Sequence, residues 1–173
     1  MEFLPFEFCN FVAATLKDLS NFSDLAAVSS KEYRIWGAAF RDHIAKRQTL
    51  HVYMYVDSNS QWSYCIKTYK KAKKYSLDEL DEKYHQINAI VISSSMSSES
   101  ATSDIETVIK KIVPFVNLAC LIFWSSYEDC QYITSSLATA SVSEVLYFSG
   151  KGGCEAFSEA LKLRNPSVKE VVW

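Results

Sequence analysis

The chain has 173 residues, 49% of them hydrophobic and 22% charged, and 18 basic against 20 acidic side chains leave a formal net charge of −2. This composition is typical of a globular protein, and it argues against a disordered chain and a strongly basic nucleic-acid binder. No apolar run reaches the roughly eighteen residues of a membrane span, and the first ten residues lack the basic start of a secretory leader. We therefore expect a soluble protein of the cytoplasm and/or nucleus.

The first part of the chain has apolar side chains at helical spacing. Three segments show this pattern: residues 4–18, 20–28 and 31–46. Pro5 suits the first turn of a helix, and Phe8, Val12 and Leu16 follow it at intervals of four, which predicts one apolar stripe. None of these short helices can bury its apolar face alone, so residues 1–49 are predicted to form one helical module.

The composition changes near residue 50 to that of β-strands. Leu50 to Val56 is rich in β-branched and aromatic residues, Asp57 to Ser60 is a turn sequence, and Trp62 to Tyr69 is a second strand candidate. The simplest interpretation is an antiparallel hairpin. The charged segment from Lys67 to Lys83 is predicted to be a solvated surface.

From residue 87 onward strands and helices are predicted to alternate. The apolar runs begin at Ile90, Leu121, Val145 and Val171, in steps of 31, 24 and 26 residues. The helices between them are expected at residues 104–116, 129–140 and 154–163. Helical crossovers between short strands imply parallel pairing, and this rhythm resembles that of leucine-rich-repeat-like arrays.

Two columns of side chains are predicted to face opposite sides of the parallel strands. The aliphatic column is Val91, Ile122, Leu146 and Val172, and the second column is Ile92, Phe123, Tyr147 and Trp173. We expect the aliphatic column to pack against the helices, with Ile92 and Phe123 also in the core. Trp124 and Tyr147 are left as candidate substrate-facing residues.

One motif in the helical segment is informative about function. Its residues are Leu4, Pro5, Glu7, Val12, Leu16, Leu25, Val28, Ser29 and Trp36. In order and type they resemble the F-box, which has an LPxE start, apolar positions along two helices, a V-[CS] pair and a late aromatic residue. The resemblance covers Leu4 to Arg47, about a quarter of the chain.

This resemblance implies a substrate-receptor subunit of an SCF-type cullin–RING ubiquitin ligase. The residues that would contact the Skp-type adaptor are Leu4, Pro5, Val12, Leu16, Leu25, Val28 and Trp36. The expected architecture is α+β or α/β, with an F-box-like three-helix module in residues 1–49. A β-hairpin and a short strand–helix array with parallel strands would follow in residues 50–173 and hold the target protein.

The sequence predicts no catalysis, metal, cofactor, nucleic acid or membrane as part of the function. Three histidines and five cysteines form no metal-binding or catalytic spacing, and the odd cysteine count favours free thiols. Two alternatives stay open. Gly150 to Gly153 follows a strand and precedes a helix, as phosphate-binding loops do, although the Walker spacing is not met. The chain could also be an interaction scaffold outside any ligase.

Overall fold

A computed structural model describes residues 5–16, 34–57, 61–69, 73–94, 101–102, 104–124, 136–137, 139–148 and 155–172. The chain divides into two compact units, Met1–Gln48 and Thr49–Trp173.

The first unit contains two described helices, α1 (Phe6–Thr15) and α2 (Arg34–Lys46). Pro5 precedes α1, and its carbonyl oxygen accepts hydrogen bonds from the N–H groups of Phe8 and Cys9 at 3.1 and 3.3 Å. The predicted third helix, over residues 20–28, lies outside the described residues.

Small side chains of α1 face the interior of the helical unit. Cys9 and Ala13 are fully buried, and Ala13 packs with Phe40 and Trp36 of α2. The predicted stripe is therefore not the buried one, because Phe8 and Leu16 are exposed and Val12 is only half-buried. Small residues at this contact let the two helix backbones approach closely.

Two polar side chains, one in α2 and one directly after it, bind the middle and the end of α1. The buried His43 ring places Nε2 2.9 Å from Asn10 Oδ1 and 3.2 Å from the Asn10 carbonyl oxygen. Arg47 Nη1 donates to the carbonyl oxygen of Leu16 at 2.6 Å. Both contacts satisfy backbone or side-chain polar groups that packing alone would leave unpaired.

Eight strands among the described residues form one sheet. They are β1 (Gln48–Val56), β2 (Trp62–Thr68), β3 (Lys74–Tyr75), β4 (His85–Ser93), β5 (Ala101–Thr102), β6 (Val116–Phe123), β7 (Val142–Tyr147) and β8 (Lys169–Val172). The strand order is β3-β2-β1-β4-β6-β7-β8, and β5 pairs with β2. The predicted hairpin is confirmed, since β1 and β2 pair antiparallel from Leu50 opposite Thr68 to Val56 opposite Trp62.

The predicted parallel pairing is also confirmed. Strands β4, β6, β7 and β8 are parallel neighbours in chain order. Helix α3 (Ile105–Ile112) lies between β5 and β6, in the crossover from β4 to β6, and α4 (Glu155–Arg164) connects β7 to β8. Between β6 and β7 the described helical residues are 136–137, a small part of the predicted helix over residues 129–140. The molecule is thus an α+β protein whose sheet is mostly parallel.

Helix α3 shows why these segments fold as they do. Asp104 caps its N-terminus, with Oδ2 accepting from Thr107 N at 3.1 Å and from Thr107 Oγ1 at 2.6 Å. The side chains that α3 buries are Ile105, Val108, Ile109 and Ile112. These four lie at the spacing of one helix face and join the main core cluster of the second unit.

The second column of the parallel strands packs against the helices, which confirms that Ile92 and Phe123 lie in the core. Ile92, Phe123 and Tyr147 are buried in the same core cluster as α3 and α4, and the Phe123 ring meets Phe157 of α4 edge to face at 5.9 Å. The prediction that the aliphatic column packs against the helices is wrong. That column alternates with the helix-facing set, so it lies on the other side of the sheet.

The register also corrects one member of the aliphatic column. Val91, Ile122, Leu146 and Val171 stand side by side across β4, β6, β7 and β8, whereas Val172 pairs with Tyr147. All four of these side chains are half-buried. We call the side of the sheet that carries them the open face.

Candidate functional site

The helical unit exposes large apolar side chains that its own packing does not cover. The exposed ones are Phe6, Phe8, Phe11, Leu16, Ile35 and Ile44. Phe11 alone leaves 67% of its surface in solvent. Several exposed apolar residues on one small unit are typical of a surface that binds a partner.

Four of the seven predicted adaptor-contacting residues belong to the described part of the chain. Pro5 and Leu16 are exposed at the two ends of α1, and Val12 between them is half-buried. Trp36 is half-buried, with its ring stacked on Phe40 at 5.9 Å. Leu4, Leu25 and Val28 lie outside the described residues.

The two candidate substrate-facing residues lie in different environments. Trp124, directly after β6, leaves 52% of its surface exposed. Tyr147 is only 1% exposed and its ring stacks on Phe123 at 5.4 Å, inside the core that the helices cover. The prediction for Tyr147 is therefore wrong, since the side chain that follows β7 on the open face is Phe148.

A depression of about 430 Å³ lies beside Trp124 on the second unit. Its described lining residues are Tyr53, Tyr55, Val91, Ser93, Ser94 and Trp124. We call it the aromatic pocket. The lining side chains come from the late part of β1, the end of β4 and the residue after β6, so the carboxyl ends of these strands meet at one edge of the sheet.

The Trp124 ring is held in place from one side. It stacks face to face on Phe148, with ring centroids 4.0 Å apart and an interplanar angle of 4°. The backbone of each residue is fixed as well, because Trp124 N donates to Ile92 O at 2.8 Å and Phe148 N to Phe123 O at 2.9 Å. Phe148 follows β7, so this stack joins the ends of β6 and β7 at the side of the pocket that Trp124 lines.

The two tyrosines of β1 form the other wall of the aromatic pocket. Tyr53 and Tyr55 are half-buried and alternate with the buried Val52, Met54 and Val56. Burial raises the pKa of Tyr55 above its ordinary value, so its hydroxyl stays protonated at neutral pH.

A lysine lies beside this tyrosine wall. Lys67 Nζ sits 4.5 Å from the centre of the Tyr53 ring, a cation–π contact. It brings a positive charge to the β2 side of the pocket.

A thiol and a carboxylate lie next to each other further along the open face. Cys120 and Glu144 are opposite each other on β6 and β7, and Cys120 Sγ donates to Glu144 Oε2 at 3.9 Å. Burial, and then the adjacent carboxylate, raise the pKa of the Cys120 thiol to about 11. A thiol that stays protonated at neutral pH is a poor nucleophile.

The described residues contain neither a cluster of three or more metal-binding side chains nor a helix long and apolar enough to cross a membrane. Three of the cysteines, Cys9, Cys65 and Cys120, are free thiols, as predicted. The glycine-rich segment from Gly150 to Gly153 lies outside the described residues.

Sequence reasoning missed Tyr53, Tyr55 and Phe148. The strict alternation from Leu50 to Val56 is a signal for the two tyrosines, because it places them on the half-exposed side of β1. The strand order that brings β1 beside β4 is what joins them to Trp124.

Comparison with known proteins gives no match to a family model, a curated protein or a solved structure.

Proposed function

We propose that the protein is a substrate-receptor subunit of an SCF-type cullin–RING ubiquitin ligase. Residues 1–49 would bind a Skp-type adaptor as an F-box, and residues 50–173 would hold the target protein. Such a subunit acts by proximity, because ubiquitin transfer takes place on other subunits. The chain would work in the cytoplasm and/or nucleus and would itself catalyse no step.

The observation that carries the proposal is the exposed apolar surface of the helical unit. Pro5 and Leu16, both in the F-box-like motif, present their side chains to solvent at opposite ends of α1. Between them Phe11 is exposed too, while the small residue Ala13 packs α1 on Phe40 and Trp36 of α2. The Phe8 ring also meets Trp36 of α2 edge to face at 6.3 Å, yet 47% of its surface stays exposed. Large apolar side chains that remain in solvent on one helix are typical of a surface that binds a partner.

The second unit adds a separate binding surface. The open face of the sheet and the aromatic pocket present half-exposed apolar and aromatic side chains on the side opposite to α3 and α4. Two surfaces on two units suit a protein that joins an adaptor to a target.

Direct binding to a purified Skp-type adaptor tests the proposal. The double variant Pro5→Ala/Leu16→Ala removes two exposed side chains but keeps the carbonyl oxygens that accept from Phe8, Cys9 and Arg47. The wild type is expected to bind, and the double variant to bind roughly tenfold or more weakly, as for residues at the centre of an interface. Isothermal titration calorimetry gives both affinities.

Leu163→Ala is the matched control for this experiment. Leu163 lies in α4 of the second unit and is 86% exposed, so the substitution removes comparable apolar area from a different surface. It should bind the adaptor like the wild type. A folded wild-type chain that does not bind the adaptor would overturn the proposal and leave an interaction scaffold of another kind.

A further inference from the structure

We propose that a row of basic side chains on the open face binds a short acidic segment of the target protein. The row consists of His51 on β1, Lys67 on β2 and Lys74 on β3, and we call it the basic row. As a statement about targets, this inference rests on the proposed function, whereas binding of an acidic peptide can be measured without any adaptor.

The strand register places these three side chains next to each other on one face of the sheet. His51 lies opposite Lys67 in the antiparallel pair of β1 and β2, and Lys67 lies opposite Lys74 in the pair of β2 and β3. Side chains directly opposite each other share a face, with Cβ atoms about 5 Å apart. That face is the open face, because His51 shares a side of β1 with Tyr53, which lines the aromatic pocket together with Val91.

The basic row brings two cationic side chains, Lys67 and Lys74, directly opposite each other. Like charges at such positions destabilise a sheet. An anion bound between the two ammonium groups turns this repulsion into attraction, so the arrangement favours a negatively charged ligand. A pair that weakens the sheet without its ligand is typical of a functional site.

The first two acidic residues after Lys74 in the chain are engaged by other groups. Asp78 Oδ1 accepts from Lys111 Nζ at 3.0 Å, and Glu79 Oε2 accepts from the N–H of Ser76 at 2.7 Å. Within the described part of the chain, no carboxylate forms an ion pair with Lys67. A carboxylate from a partner can therefore bind the Lys67 ammonium group.

Aromatic rings hold the basic row in position before any ligand binds. Lys67 Nζ lies 4.5 Å from the centre of the Tyr53 ring, and the rings of His51 and Tyr69 have centroids 4.9 Å apart. Tyr69 leaves 73% of its surface exposed, so its hydroxyl group can donate to a carboxylate bound on the row. Donors that are already positioned lose little conformational entropy on binding.

The charge of the chain favours a short acidic segment over a nucleic acid. The formal net charge is −2, and Glu144 lies further along the open face. A nucleic-acid strand carries a charge at every nucleotide and would extend beyond the basic row toward this negative surface. The row spans about 10 Å, and carboxylates on one side of an extended segment repeat about every 7 Å, so two of them match the row.

Fluorescence anisotropy with a labelled peptide of alternating glutamate and serine tests the inference on the full chain. Saturable binding is expected, and it should weaken as the salt concentration rises. A peptide with glutamine in place of glutamate should not bind. Lys67→Gln/Lys74→Gln should weaken binding by about tenfold or more, because two cationic contacts are lost.

Lys67→Glu distinguishes a lost contact from a lost fold. It places a carboxylate opposite Lys74, so its urea midpoint should equal or exceed that of the wild type, whereas its affinity for the acidic peptide should fall about tenfold or more. Lys110→Glu makes the same change in net charge on α3, at the other side of the sheet, and should bind the peptide like the wild type.

NMR of the three histidines shows where the peptide binds. Burial lowers the pKa of His51 in the free protein. A carboxylate bound beside the ring favours its protonated form, so the peptide should raise the pKa of His51. The resonances of His43, in the first unit, should not change.

Two variants separate this inference from the proposed function. Lys67→Glu should bind the adaptor like the wild type, and Pro5→Ala/Leu16→Ala should bind the acidic peptide like the wild type. No saturable binding of the acidic peptide, or equal binding by Lys67→Gln/Lys74→Gln and the wild type, would overturn the inference even if the adaptor binds. Tighter binding of an oligothymidylate than of the acidic peptide at the basic row would overturn it in favour of a nucleic acid.

Discussion

Histidine 85 shows how one side chain makes the second unit sensitive to pH. The N–H of Asp81 donates to His85 Nδ1 at 2.9 Å, a contact that requires this nitrogen to be unprotonated. The ring also packs edge to face on Tyr75 at 5.0 Å. Burial lowers the pKa of His85 below 6.5, with Lys73 acting in the same direction and Asp81 and Glu79 opposing it.

The lowered pKa predicts that acid weakens the fold. Between the folded-state pKa and 6.5 the unfolded chain binds more protons, so the free energy of unfolding falls as the pH falls through this window. Burial also lowers the pKa of His51, which adds to the same trend. Urea midpoints at about pH 7.5 and about pH 5.5 should differ, with the lower midpoint in acid.

His85→Asn tests the assignment, because asparagine keeps an acceptor near the Asp81 N–H and does not titrate. We expect a smaller difference between the two midpoints in this variant, with His51 contributing to the part that remains. Glu79 and Asp104 have lowered pKa values, so their contribution is lost only in stronger acid. A wild-type midpoint that does not change over this range would contradict the prediction.

At the scale of the element, the side chains of strand β6 alternate between the two faces of the sheet. Leu121 is fully buried on the side that the helices cover, and Ile122, its neighbour in sequence, is half-buried on the open face. Leucine and isoleucine side chains are isomers of equal size. Replacing each one by alanine therefore compares how much burial on each face of the sheet contributes to the free energy of unfolding.

Leu121→Ala is expected to lower the free energy of unfolding by about 2–5 kcal/mol, because it leaves a cavity in the core. Ile122→Ala should cost less than half as much, since part of this side chain already contacts water. Chemical denaturation of both variants provides the comparison. Equal losses would mean that the open face is covered as completely as the helix side.

At the scale of the whole molecule, stability is unevenly divided between the two units. Every member of the main core cluster lies between Leu50 and Val168. Among the described residues of the helical unit, the core cluster consists of Ala13 and Phe40, with Trp36 packed against it. A unit with the larger described core is expected to keep its fold better when the units are separated.

A fragment from Gln48 to Trp173 is therefore predicted to fold without the helices. Its far-UV circular dichroism should show a sheet protein, and its urea unfolding should be cooperative, with a midpoint close to that of the same unit in the full chain. The complementary fragment, Met1 to Arg47, should be largely unfolded or self-associated, because its described part exposes more large apolar side chains than it buries. A sheet fragment without a cooperative transition would show that the two units depend on each other.

Much of this fold can be predicted from the sequence, because the spacing of apolar residues within its strands and helices is distinctive. The spacing of Ile105, Val108, Ile109 and Ile112 fixes α3, and Asp104 marks its start. The runs at Ile90, Leu121 and Val145 identify three parallel strands for the same reason. These features depend on neighbours in the chain.

The side of the sheet that each strand residue occupies, and the set of residues that line the aromatic pocket, depend on contacts between distant parts of the chain. Local sequence patterns therefore could not predict them. A continuous apolar run such as Leu121 to Phe123 lacks alternation, so it does not tell which residues face the helices. The stripe of Phe8 and Leu16 has helical periodicity, but periodicity does not distinguish a neighbouring helix from a partner protein. The aromatic pocket requires β1 beside β4, a pairing between strands that are not consecutive in the chain.

The strand order has a consequence for how proteins of this architecture can change in length. From β4 to β8 each parallel strand pairs with the parallel strand before it in the chain. A further strand–helix unit added beside β8 would widen the open face by about 4.8 Å and leave the older pairings untouched. The surface that we propose to meet a target could thus be enlarged by duplication of a gene segment, while the pocket lined by Tyr55, Ser93 and Trp124 stays the same.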